Sequence, residues 1–142
     1  MEQIIISGFS DEIAPEFDTQ LEAIGEWGLT HIELRAADGV NVSDFTPDKV
    51  KEVKAKLDRA GIKVSSIGSP IGKITIEDDF APHLEKLKRT LEIQKGLDAP
   101  YVRMFSFYLP KDRDPKEFQG KVMEQVGAMV EEAKAWDSVL LH

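Results

Sequence analysis

Val139-Leu140-Leu141-His142, the last four residues of the sequence, form a short apolar run that predicts the opening of a fifth buried β-strand, with the sequence ending inside it. Four earlier strand-like runs are each followed by a helical pattern. The expectation is therefore an α/β fold of parallel (β/α) units, about four and a half of them, or roughly half of an eight-stranded parallel barrel. Strands and helices alternate at spacings of roughly 30 to 40 residues, the pattern of βαβ units with right-handed crossovers. No linker-like or low-complexity stretch interrupts it, so a single domain is expected over residues 1–142.

Outward from that end, Ile4-Ile5-Ile6-Ser7-Gly8-Phe9 predicts the first strand and Thr30-His31-Ile32-Glu33-Leu34-Arg35 the second. Ile62-Lys63-Val64-Ser65-Ser66-Ile67 predicts the third, and Tyr101-Val102-Arg103-Met104-Phe105-Ser106-Phe107 the fourth. Between the first two, Pro15 suits a helix first turn, and Phe17, Leu21, Ile24 and Trp27 recur at helical spacing. A loop over residues 36–45 leads to Thr46-Pro47, an N-cap followed by a first-turn proline, and Gly61 closes the second helix. The third helix is expected over residues 79–97, with Phe80, Leu84, Leu87, Leu91 and Gln94 on one side. Pro115 opens the fourth, whose apolar face holds Phe118, Val122, Val126, Met129, Val130 and Ala133.

Composition excludes several classes of function. The sequence has no cysteine, which removes disulfides, thiolate catalysis and cysteine metal sites, and fits a reducing compartment. Lys and Arg number 18 against 26 Asp and Glu, a formal charge of −8. Such a chain without a basic cluster is a poor general binder of nucleic acid. No apolar run approaches the about 18 residues of a membrane span, and Met1-Glu2-Gln3 lacks a basic secretory start. The expectation is a soluble, cytoplasmic protein with no nucleic-acid or membrane partner.

In a parallel barrel alternate strand residues face the lumen. Ile32 and Leu34 then pack under helices, while Glu33 and Arg35 point inward, either as a charge pair or as a clamp for a polyhydroxylated ligand. Arg103 faces away from Val102 and Met104 and must reach a carboxylate, a carbonyl or a ligand; Glu33 is one candidate. Ser106 and Tyr108 follow at the carboxyl end of the same strand. Gly68-Ser69-Pro70-Ile71-Gly72-Lys73 lets backbone amides approach an anion, with Lys73 adding a point charge, although most such loops only turn the chain. Asp11 and Glu12 read as helix-start acids, and Lys49, Lys51, Lys54, Lys56, Asp58 and Arg59 as a solvated helix face. His31 opens a strand at the bottom of the barrel, His83 is expected at the surface of the third helix, and His142 points toward the top.

The stretches Gly8-Phe9-Ser10-Asp11-Glu12-Ile13, His31-Ile32-Glu33-Leu34-Arg35, the run Val64 to Lys73, and Arg103-Met104-Phe105-Ser106-Phe107-Tyr108 together resemble the xylose-isomerase-like TIM barrels, in their sugar phosphate isomerase/epimerase branch. The likeness covers essentially the whole chain, and the order and spacing of the motifs carry it. It implies an enzyme that interconverts sugars or sugar phosphates by moving a proton next to a carbonyl through an enediolate, with Mn²⁺, Mg²⁺, Co²⁺ or Zn²⁺ polarising the oxygens. It also implies that the metal ligands lie on later strands, beginning with a glutamate just after the position of His142. The chain is thus expected to hold no metal by itself and to be catalytically incomplete, a fragment supplying the substrate-side wall. The resemblance places Glu33, Arg35, Ser69, Gly72, Lys73, Arg103, Ser106, Tyr108 and His142 on that wall.

Half a barrel leaves unpaired edges, so a homodimer or larger homo-oligomer is expected. Two other classes compete with the isomerase. One is a non-enzymatic half-barrel module for folding and assembly; the other is an abasic-site endonuclease-like protein, which the acidic charge disfavours.

Overall fold

The computed structural model describes residues 4–142; Met1, Glu2 and Gln3, quoted above for the chain start, lie outside the described residues. In chain order the elements are α1 (Phe17–Glu26), β1 (His31–Leu34), β2 (Ala36–Ala37), β3 (Val40–Asn41), α2 (Pro47–Ala60), β4 (Lys63–Ile67), α3 (Phe80–Gly96), β5 (Tyr101–Arg103), α4 (Gln119–Ala135) and β6 (Val139–Leu141). A four-stranded sheet runs β1-β4-β5-β6, every pair parallel, with α2, α3 and α4 as the crossovers. This is the parallel α/β arrangement that the strand-helix alternation predicts.

Local chemistry explains where the helices begin and end. Thr46 caps α2 by accepting from the Lys49 amide, Pro47 occupies the first turn, and Gly61 ends it in the left-handed region at φ 67°. Asp79 caps α3 by accepting from Ala81, and Asp114 caps the 3-10 turn at Pro115–Phe118 that leads into α4. The alternation in β1 is as expected: Ile32 and Leu34 are fully buried, Glu33 and Arg35 half-buried. One core cluster joins Phe17, Ile32, Leu34, Val53, Ile67, Leu87, Leu91, Val102 and Met129, which locks the helices over one face of the sheet. Truncating a fully buried leucine such as Leu87 to alanine costs about 2 to 5 kcal/mol in such packing.

Four expectations need correction. Residues 4–9 form no regular strand. Ile4, Ile5 and Ile6 are 87%, 59% and 66% exposed, and the segment meets β1 where the Glu33 amide donates to the Gly8 carbonyl at 2.9 Å beside a Phe9–Glu33 bridge. Buried parallel strands need cover on both faces, and these isoleucines have none among the described residues. Trp27 leaves the α1 stripe, because the helix ends at Glu26 and its C-cap residue turns to solvent, 63% exposed.

The loop over residues 36–45 contains a hairpin, β2 pairing antiparallel with β3 around Asp38-Gly39. Both turn residues have positive φ, 52° and 74°, as a two-residue type I′ turn requires. Asp38 also receives the Phe17 amide at 2.9 Å, acting as a distant cap for α1, whose own Glu16 makes no side-chain cap. Lastly, His83 is buried rather than at the surface of α3, because its ring is used inside the fold.

Candidate functional site

The carboxyl ends of β1, β4 and β5 bring together an alternating set of charges and aromatic rings. Glu33 and Arg103 project from β1 and β5 on the face away from the core cluster, and their charged groups approach to 3.7 Å. That is an ionic contact rather than a hydrogen bond. The Arg103 guanidinium is fixed from the other side, donating through Nη2 to the carbonyls of Gly68 at 3.1 Å and Ser69 at 3.4 Å. It also stacks near two rings, 5.0 Å from the centroid of Phe9 and 5.1 Å from that of Phe105. Its Nε is buried with no partner among the described residues.

Arg35 does not pair with Glu33. Its Nε donates to Asp11 at 2.8 Å and its Nη2 reaches Glu12 at 3.4 Å, while the guanidinium lies 4.6 Å from the Phe9 centroid. The bond to Asp11 raises the Arg35 pKa further, against some desolvation. Asp11 and Glu12 sit in a 3-10 turn ahead of α1, so they are partners of Arg35 rather than helix-start acids. Phe9 thus contacts two guanidinium groups, each contact worth about 0.5 to 2 kcal/mol.

The loop over residues 68–73 closes the site from β4. Ser69 is fully buried; its hydroxyl donates to the Arg103 carbonyl and accepts from the Ile71 amide, so it holds the loop shape. Gly72 adopts φ 86° and lies against the backbone of Phe105. Lys73 is exposed, its ammonium 4.6 Å from the Phe105 centroid.

Beyond β5, the Phe105 amide donates to Ile71, the Phe107 amide to Gly72 and the Tyr108 amide to Ile74, zipping the two strand-end segments together. Phe107 is held at φ 73°, an uncommon conformation for a bulky residue, with its ring edge-on to Phe80 at 6.2 Å. Ser106 and the His142 Nε2 are 2.9 Å apart, while Tyr108 is 57% exposed and tied in only through its backbone.

Seven of the nine residues expected from the sequence therefore gather in two groups, Glu33 and Arg103 with Ser69, Gly72 and Lys73 of the 68–73 loop, and Ser106 with His142. Arg35 is instead paired with Asp11 and Glu12, and Tyr108 lies at the rim. The aromatic partners Phe9 and Phe105 escaped the sequence argument; their alternation with Arg35, Lys73 and Arg103 at strand ends was the available signal. An open cavity of about 680 Å³ lies at the opposite strand ends, between Ile5, His31, Lys63 and Tyr101. Parallel barrels carry their chemistry at the carboxyl ends, where the charged cluster stands.

Fold and strand-end cluster together define a parallel α/β protein with a polar site over the sheet's carboxyl edge. The chain belongs to the xylose isomerase-like TIM barrel family, whose model matches residues 21–138. No curated protein matches it significantly.

Among solved structures, a D-tagatose 3-epimerase-like protein is similar at a TM-score of 0.75 and 14% identity, covering 96% of this chain and 51% of that one. A xylose isomerase-like TIM barrel protein from Mycobacterium smegmatis, in complex with magnesium, gives 0.71 and 17%, covering 96% and 53%. The 3-keto-D-glucoside 4-epimerase of E. coli gives 0.69 and 18%, covering 96% and 55%. The chain spans about half the length of each, so the sheet corresponds to half of a TIM barrel.

Proposed function

We propose that this chain forms the substrate-side wall of a sugar isomerase or epimerase that moves a proton next to a carbonyl. The observation that carries the reading is the Glu33–Arg103 pair, held at the strand ends between the Phe9 and Phe105 rings. A carboxylate and a guanidinium in fixed array suit the paired hydroxyls of a sugar, and the rings suit its C–H faces. Support comes from family membership and from neighbours named as sugar epimerases. The sugar and sugar phosphate alternatives differ in charge: Arg35 and Arg103 already have carboxylate partners, and Lys73 is the cation of this cluster without one among the described residues. That balance favours a neutral sugar.

Divalent-metal dependence fits the family resemblance, but the side chains of this chain do not fit a metal by themselves. Among the described residues no three His, Asp or Glu converge closely enough to hold one. No step through a metal is derived, and the chain's own contribution is to bind and orient: Glu33 and Arg103 grip hydroxyls, Lys73 and Ser106 close the edges, and His142 offers its ring beside Ser106. By itself the chain is a binding wall, without turnover.

Ligand-observed NMR with D-tagatose and with a ketose phosphate tests this. Saturation transfer to the neutral sugar, lost in Arg103→Ala, is the expected result. No transfer to either ligand, or transfer unaffected by Arg103→Ala, overturns it.

Self-association accompanies this reading. Tyr101, Val139 and Leu141 are 41%, 53% and 40% exposed, and β6 is paired on one side, by β5. An uncovered apolar edge strand is a template for a second copy.

A further inference from the structure

His83 lies in the first turns of α3, 8% exposed, and its Nε2 accepts the Gly72 amide at 2.7 Å. That direction fixes the state of the ring. An Nε2 that accepts carries no proton, so the imidazole is neutral with its proton on Nδ1. An imidazolium has a proton on both nitrogens and would set two donors against each other.

The bond sits at a junction. Gly72 receives the Phe107 amide on its carbonyl at 3.0 Å, while Ile71 receives Phe105 at 2.8 Å and Ile74 receives Tyr108 at 2.8 Å. Gly72 cannot yield sideways, since its Cα packs on the Phe105 backbone. The strand-end segments that present Lys73, Ser106 and Tyr108 are therefore tied to each other, and His83 ties them to α3.

We propose that His83 is a positioning residue: its neutral ring anchors the Gly72 amide and thereby the 71–74 and 105–108 segments, and protonation of the ring releases them. The part of this that concerns sugar rests on the function proposed above; the anchoring does not.

The surroundings resist that protonation. Burial is the main cause holding the His83 pKa below the usual imidazole range, with Lys86 one turn along α3 adding to it and Asp78 opposing it. Lys86 is itself 3.4 Å from Asp44, and the Asp78 carboxylate accepts the Thr75 amide. Lys73 is the charged group of the 68–73 loop, and the 105–108 segment brings Tyr108 as its one titratable side chain. A lowered folded-state value means the bond is intact above the unfolded imidazole value of about 6.5 and is lost as pH falls through the lower folded one.

Nitrogen-15 NMR of the whole chain between pH 8 and 5 tests the assignment. At pH 8 His83 should show the Nδ1-protonated tautomer. On acidification the protection factors of the Gly72, Phe105 and Phe107 amides, taken relative to their intrinsic exchange at each pH, should fall roughly tenfold in step with His83 alone. Unchanged protection through the His83 titration, or an Nε2-protonated ring at pH 8, overturns it.

His83→Gln keeps an acceptor and removes the titration, so the protection of these amides should stay level down to pH 5. In His83→Leu the protection should be low at every pH; if it does not fold, the wild-type titration and His83→Gln still decide. In the same tubes, D-tagatose binding should weaken at low pH in wild type and stay level in His83→Gln. Amides that respond while no sugar binds at any pH sink the sugar reading and leave His83 in place. Sugar binding with unresponsive amides does the reverse.

Discussion

Gly72 rests its Cα directly on the backbone of Phe105: a Cβ built at Gly72 would meet the Phe105 carbonyl oxygen at 1.8 Å. Two constraints thus coincide at one residue, a left-handed φ of 86° and no room for a methyl group.

Gly72→Ala should destabilise the chain by at least about 2 kcal/mol, since the left-handed conformation alone costs 1 to 2 and the clash forces the strand-end segments apart. Gly61 is the matched control. It has φ 67° with open space around it, so Gly61→Ala should cost only about 1 kcal/mol. Urea unfolding of the two variants checks the difference; equal losses would mean the Phe105 contact is soft.

Arg103→Lys should behave as a severe change despite keeping the charge. A lysine cannot reach Glu33 and both carbonyls of Gly68 and Ser69 together, so a loss of about 2 kcal/mol is expected, with Glu33→Gln milder at about 1. Sugar binding, by the reading above, should drop in both. Thermal denaturation and saturation-transfer NMR on the same samples separate the two effects.

Asp38 predicts an acid-side signature. The ammonium of Lys49 and then the Phe17 amide hold its carboxyl below the usual value. The sign follows: this stabilisation is complete above the unfolded carboxylate value of about 3.9 and disappears as pH falls through the lower folded one. Asp38→Asn should flatten that part of the stability curve and leave the region near neutrality with a constant offset. Urea midpoints from pH 6 to 2.5 measure it; parallel curves for the two proteins would remove Asp38 as the cause.

Self-association should weaken when the β6 edge is charged. Val139→Lys and Leu141→Lys place ammonium groups at positions 53% and 40% exposed, where a monomer tolerates them and an apolar interface does not. Sedimentation equilibrium should show wild type heavier than 15.9 kDa and the double variant near it. A monomeric wild type at millimolar concentration would end the proposal.

Much of the fold was legible because its signals are local. Thr46-Pro47 and Gly61 mark α2 by capping chemistry alone, and the Ile32/Leu34 against Glu33/Arg35 alternation follows from strand geometry. What escaped depends on distant partners. The isoleucines at 4–6 carry a strand pattern but lack the cover that makes a strand worth forming. His83 occupies a polar-looking position on α3 and is buried, its ring accepting the amide of Gly72, eleven residues earlier. The Asp38-Gly39 hairpin is the exception, since that dipeptide is itself a turn signal. In the site, Glu33 and Arg103 were readable as lumen-facing charges, whereas the capture of Arg35 by Asp11 required knowing how the preceding turn folds back.

The chain has two tryptophans in opposite circumstances. Trp27 already stands in water, while Trp136 packs against the core beside β6 and donates its indole N–H to Glu132 at 3.3 Å. Intrinsic fluorescence sums the two indoles, and a Trp27→Phe variant would leave Trp136 as its single source, so that a spectral shift on dilution or on titrating a partner registers the β6 end of the sheet without any label.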